Sequence, residues 1–147
     1  MNLFGMLEIS GSGMTAERQR AQVVVSNMAN AQTTHTPEGG PYKRQLVVFC
    51  AQHQPEFPVM TLASTTGRTG AAEGVRVAQV VAEKKNPILR YEPGNPDADA
   101  KGYVAYPNID PVEEMTDLLG AVRAYELNAS AVQAAKGMIQ QSLDLLK

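Results

Sequence analysis

Two long stretches with a 3.5-residue apolar repeat stand at opposite ends of this chain, and the stretch between them is broken by Gly and Pro. Steps of three and four return side chains to one face only on a helix, so the repeat fixes the element type at both termini. From the N-terminus the steps land on Leu3, Leu7, Met14, Ala21, Val24 and Met28, with Ser10 and Glu17 as polar lapses. A helix is therefore predicted over 3–31. Gly11 and Gly13 lie inside it and weaken its first turns by about 1 kcal/mol each relative to Ala.

The C-terminal helix carries clearer start signals. Asp110 suits the cap, Pro111 the first helical position, and Glu113 a capping box. Glu114 and Asp117 place negative charge near the positive end of the helix dipole. The stripe then runs through Met115, Leu118, Val122, Tyr125, Ala129, Val132, Ile139, Leu143 and Leu146, broken only by Lys136. No proline interrupts it, which predicts about 36 residues, roughly 54 Å. A second stripe, Leu127, Ala131, Ala134, Met138 and Leu145, is displaced from the first by about 200°. Apolar material on two faces needs two sets of neighbours.

The middle reads as short strands. Arg44 to Gln52, the weaker Phe57 to Ala63, Gly74 to Glu83, Ile88 to Glu92 and Tyr103 to Tyr106 are the candidates. The Ser/Thr/Gly/Ala-rich stretch over 64–73 reads as a mobile loop. The expected fold is α+β: long N- and C-terminal helices (1–31 and 110–147) paired as an antiparallel coiled coil, with a small β-rich unit (32–109) inserted between them and sitting at one end of the pair.

Candidate chemistry is sparse. Asp97-Ala98-Asp99-Ala100-Lys101-Gly102 has a cation where a calcium loop needs a ligand, so it reads as a polar hairpin turn. Gly11-Ser12-Gly13 lacks the preceding strand and third glycine of a dinucleotide loop. His35 and His53 have no partner at ligand spacing. Cys50, the single cysteine, closes an apolar run and reads as packing. A net charge of −2 gives no footprint for nucleic acid or an acidic membrane. Met1 to Ile9 does not read as a secretory signal, since a basic start is missing and Glu8 interrupts the apolar core. No catalytic, cofactor or metal site is expected. Helices of this kind complete their burial only among neighbours, which favours an assembly subunit. The alternatives are a small coiled-coil oligomer or adaptor binding a partner helix, and an enzyme with a site in the β unit.

The segments Ile9 to Arg18 and Ser26 to Thr34, with Asn27, Ala29, Asn30 and Thr33 as signature positions, resemble the N-terminal signature of bacterial flagellar rod and hook proteins. Thr36 to Gln45, Tyr103 to Glu114 and Arg123 to Asn128 narrow the resemblance to the short members of the basal-body rod family. Gly11 stands where that pattern has alanine. The resemblance implies a non-enzymatic structural role in the proximal rod, with helical polymerisation and no cofactor. It implies as partners copies of the chain, the proximal rod protein B, the ring-rod junction protein, distal rod proteins and the flagellar type III export apparatus. It further implies helical termini in the inner wall of a periplasm-crossing tube, the β-rich part outside, and Asn27 to Asn30 with Thr33 and Thr34 shaping the turn that leaves the inner helix.

Overall fold

The structure, a computed structural model, describes residues 3–52 and 74–145. The side chain of Leu3, Leu146, His53, the candidate strand Phe57 to Ala63 and the predicted loop 64–73 lie outside the described residues. Six elements follow in order: α1 (Leu3–Ala29), β1 (Gln45–Ala51), β2 (Val75–Ala82), β3 (Ile88–Tyr91), β4 (Tyr103–Tyr106) and α2 (Pro111–Asp144). The fold is α+β, with two long helices and two antiparallel ribbons, β1–β2 and β3–β4.

Helix α1 runs through Gly11 and Gly13 unbroken. It stops two residues before the predicted end because Asn30 turns its side chain back onto the Ser26 carbonyl at 2.9 Å. Thr33 then closes the turn, its hydroxyl donating to Asn30 Oδ1 and its amide to the Asn30 carbonyl. Helix α2 starts as expected: Asp110 Oδ1 accepts from the Val112 amide at 2.9 Å, with Pro111 next. The capping-box role given to Glu113 is replaced by another, since its carboxylate pairs with Arg44 at 3.2 Å.

The helices pack on each other, but not through the predicted stripes. Gly13 of α1 lies against Asn128, Arg20 meets Asp117 at 3.3 Å, and Asn27 meets Glu114 at 3.1 Å. Buried positions on α1 are Ser10, Gly13, Ala16, Val24 and Asn27; on α2 they are Glu114, Ala121 and Ala135. Small and polar side chains form this seam because they let two helix backbones approach closely, whereas large ones hold them apart. Of the α1 stripe only Val24 is buried, while Leu7, Met14, Ala21 and Met28 are half-buried. On α2 Met115, Val122, Tyr125 and Leu143 are exposed, and Leu118, Ala129, Val132 and Ile139 half-buried. In the second stripe Ala131 is half-buried, and Leu127, Ala134, Met138 and Leu145 are exposed. At about 100° per residue the seam passes between the two α2 stripes, each roughly a quarter-turn away.

The β1–β2 ribbon lies along α1 rather than at the end of the helix pair. Gln45 starts it at Asn27, and its other end reaches Ser12, whose hydroxyl accepts from the Val75 amide at 3.0 Å. Fifteen helical residues rise about 22 Å, close to the span of a seven-residue strand, so the lengths match. A register shift opposite Val48 and Phe49 leaves Ala78 unpaired. Beyond it β2 is exposed to its end, including Val80 and Val81, so the period-two valine pattern marks a buried face only as far as Val77. β3 and β4 form a hairpin whose Val104 is buried and whose Leu89 and Tyr91 are exposed.

Candidate functional site

Two features distinguish the molecule: a buried polar junction that ties the β1–β2 ribbon to both helices, and the apolar flanks beside the helix seam. The junction centres on Asn27. Its amide nitrogen donates to the Gln45 carbonyl (2.9 Å) and to Glu114 Oε2 (3.1 Å), and its Oδ1 accepts from the Gln45 amide (2.9 Å) and the Tyr42 hydroxyl (3.1 Å). Every hydrogen-bonding position of that side chain is used. Paired with both backbone groups of Gln45, it acts on β1 as a neighbouring strand would.

Glu114 is 1% exposed, a position a carboxylate occupies only with partners. Asn27 supplies one, and Arg44 Nε supplies the other. The same guanidinium reaches Glu113 at 3.2 Å, Asp117 at 3.4 Å and Glu83 at 3.8 Å. Burial works against the charge on Arg44. The hydrogen bond and charge of Glu114, with the charges of Glu113 and Glu83, outweigh it and hold the guanidinium pKa above its ordinary value. Arg20 of α1 joins from the far side through Asp117 and Glu17. One oxygen each of Glu17 and Glu83 is buried without a hydrogen bond, and each is held instead by a longer ion pair, to Arg20 at 3.7 Å and to Arg44 at 3.8 Å.

Elsewhere the chemistry is that of turns. Asp99 Oδ1 accepts from the Lys101 and Tyr103 amides, and Gly102 adopts φ +79°, where a Cβ would come within 3.0 Å of Tyr91. Residues 97–102 are thus the hairpin turn read from the sequence. Thr34 donates to Asp97 at 2.6 Å and anchors that hairpin to the segment after α1. Glu92 accepts from Asn95 and Tyr106; these bonds, with the Arg90 charge, hold its carboxyl below the usual range despite some desolvation. The hydrogen bond to Glu92 raises the Tyr106 phenol in turn. His35 is exposed, and Cys50 is free and half-buried. Among the described residues no group of three or more His, Cys, Asp or Glu could hold a metal ion, and no helix is long and apolar enough to cross a membrane.

The signature residues separate. Asn30 and Thr33 make the turn after α1, Asn27 holds β1, and Ala29 is exposed at the helix end. Sequence reasoning missed Arg44, Tyr42, Glu114 and Asp117 as one cluster. The available signal was three carboxylates at 113, 114 and 117 with no cation at helical spacing before Arg123.

Comparison with known proteins places this architecture. A family profile described as "Flagellar basal body rod FlgEFG protein C-terminal" matches residues 100–145, which hold β4 and α2. Flagellar basal-body rod protein FlgC of Bacillus subtilis is 38% identical over 151 residues, covering 100% of both chains. The protein of the same name from Borreliella burgdorferi is 37% identical, covering 100% of this chain and 99% of its own. That of Escherichia coli O157:H7 is 40% identical over 145 residues, covering 99% and 98%. The chain belongs to the FlgC family of flagellar basal-body rod proteins. Its role is accordingly that of a structural rod component of the flagellar basal body, and not that of an enzyme. For a FlgC-family chain, the surfaces to explain are those that meet other rod subunits.

Proposed function

We propose that this chain is a subunit of the proximal rod. There it polymerises helically with copies of itself and with other rod proteins into the periplasm-crossing shaft that transmits torque. The full-length similarity to FlgC proteins carries the reading. Its neighbours would be the proximal rod protein B, the ring-rod junction protein and the distal rod proteins, reached after delivery by the flagellar type III export apparatus. In this reading 1–31 and 110–147 form the wall of the tube as an antiparallel coiled coil, and 32–109 form its outer part. The order of the helix contacts supports that arrangement: 13 with 128, 20 with 117, 27 with 114.

The apolar stripes are the assembly interface. With the helices opposed in direction, the Leu7–Met14–Ala21–Met28 stripe and the Met115–Leu118–Val122–Tyr125 stripe emerge on one side of the pair. The β1–β2 ribbon, held through Ser12 and Asn27, occupies the other side. The helix layer is therefore covered on one side by its own chain and left for neighbours on the other. Torque passes through such a wall because many dispersed contacts resist twist without a moving part.

Amide exchange and sedimentation on the isolated chain test the reading. Rapid exchange along α2 in the dilute monomer, replaced by protection in assembled rods, is expected. A compact species at low concentration with α2 already protected from Met115 to Leu145 would favour the small oligomer or adaptor instead.

A further inference from the structure

The β1–β2 ribbon is fastened to the helices unequally at its two ends. At Gln45 the Asn27 side chain holds both backbone groups, and the neighbouring Arg44 is paired with Glu113, Glu114 and Asp117 of α2. At the opposite end, among the described residues, one hydrogen bond crosses to α1, from the Val75 amide to Ser12 Oγ at 3.0 Å. Between the ends the packing is thin. Phe49 lines two clefts, one of about 300 Å³ beside Val24 and Asp117 and one of about 310 Å³ beside Ala16 and Asn128. The ladder shifts register at Val48 and Phe49, where a two-stranded ribbon can bend.

Segments with little buried apolar contact and few hydrogen bonds open locally while the rest of a fold stays intact. Release at Ser12 strands no buried group. The Ser12 hydroxyl keeps its own bond to the Ile9 carbonyl at 2.7 Å, and the freed Val75 amide meets water. Release at Gln45 would break two bonds of the buried Asn27 and part Arg44 from the buried Glu114, which is costly. We propose that the ribbon is a strap, hinged at the Asn27–Arg44–Glu114 joint and reversibly released at Ser12, which opens over the Gly13–Asn128 end of the helix seam while both helices stay paired. Open, it uncovers Ala16, which is 2% exposed with the strap shut. On the rod-subunit reading, the motion lets one subunit adjust its covered side to unlike neighbours. The motion itself belongs to the single chain, so its test stands or falls apart from that reading.

Amide exchange resolved by residue in the full-length chain tests the strap. The Val75 amide should be protected less than about 100-fold, a level that one hydrogen bond supports, and its rate should not respond to dilute urea. The Gln45 amide should exchange at least about tenfold more slowly and accelerate with urea, as a group freed by larger unfolding does. Two variants sharpen the comparison. Ser12→Ala removes the acceptor, and Gly74→Ala places a Cβ 2.5 Å from Ser12 Oγ, which props the strap open with the hydroxyl still present. Each should abolish protection at Val75 and leave Gln45 within about twofold of its unmodified rate, since separate opening units respond separately. A difference below tenfold between the two amides in the unmodified chain, whether both are fast or both slow, would overturn the hinge. So would either variant accelerating Gln45 as much as Val75.

Discussion

At the scale of single residues, the buried Glu114 and the guanidinium over it decide whether the ribbon stays on the helices. Removing one member of a buried ion pair strands the other and costs about 3–5 kcal/mol, while replacing both by apolar groups is often neutral. Arg44→Met should therefore destabilise the chain by about 3 kcal/mol, and adding Glu114→Leu should recover much of that loss. Urea denaturation followed by far-UV circular dichroism measures both at one protein concentration. Additive losses would show that the two side chains do not act as a pair. This cluster was illegible in the sequence for a physical reason. The acidic residues at 113, 114 and 117 already had a sufficient local role at the helix start, and an ion pair spanning 70 residues leaves no periodic mark. Asn27 was singled out as a signature position, but its work on Gln45 required the strand to be in view.

At the scale of elements, the limits of the helices and strands could be read from the chain, and the phase of the helix packing could not. Caps and prolines mark ends: Asp110 and Pro111 begin α2 where expected, and Tyr103 to Tyr106 is strand β4 as expected. Periodicity finds large apolar residues, whereas this seam is built from Ser10, Gly13, Ala16 and Ala121. The stripes border that contact and do not form it. Gly13 shows what periodicity of large residues leaves out. A Cβ there would sit 3.1 Å from the Asn128 amide group, which is itself held by a 2.8 Å bond to the Ala124 carbonyl. At Gly11 nothing lies within 4 Å. Gly11→Ala should thus stabilise α1 by about 0.5–1 kcal/mol through helix propensity, and Gly13→Ala should gain nothing or lose stability. Thermal unfolding of the two variants side by side checks this. A larger gain at Gly13 than at Gly11 would remove the close approach from the account.

At the scale of the whole molecule, the helix pair has a covered side and an uncovered one, and a single charge can tell them apart. Val132 lies on the uncovered side, half-buried and about 40–60° round the helix from Asn128 and Ala135. In the lone chain a carboxylate at that position reaches water, so the fold should survive Val132→Asp with its helix content intact. Against a docked neighbour the same carboxylate would be desolvated without a partner, a penalty larger than one contact among many can absorb. Val132→Asp should therefore abolish incorporation into basal bodies and swimming, while export continues at the unmodified level. Immunoblots of exported protein, basal-body preparations and swimming assays separate the steps. Normal incorporation would place the interface elsewhere. Loss of helix content in the purified variant would assign Val132 to the chain's own core. The prediction depends on the offset between seam and stripe: had the large residues formed the seam, an aspartate at 132 would break the subunit before it could break the rod.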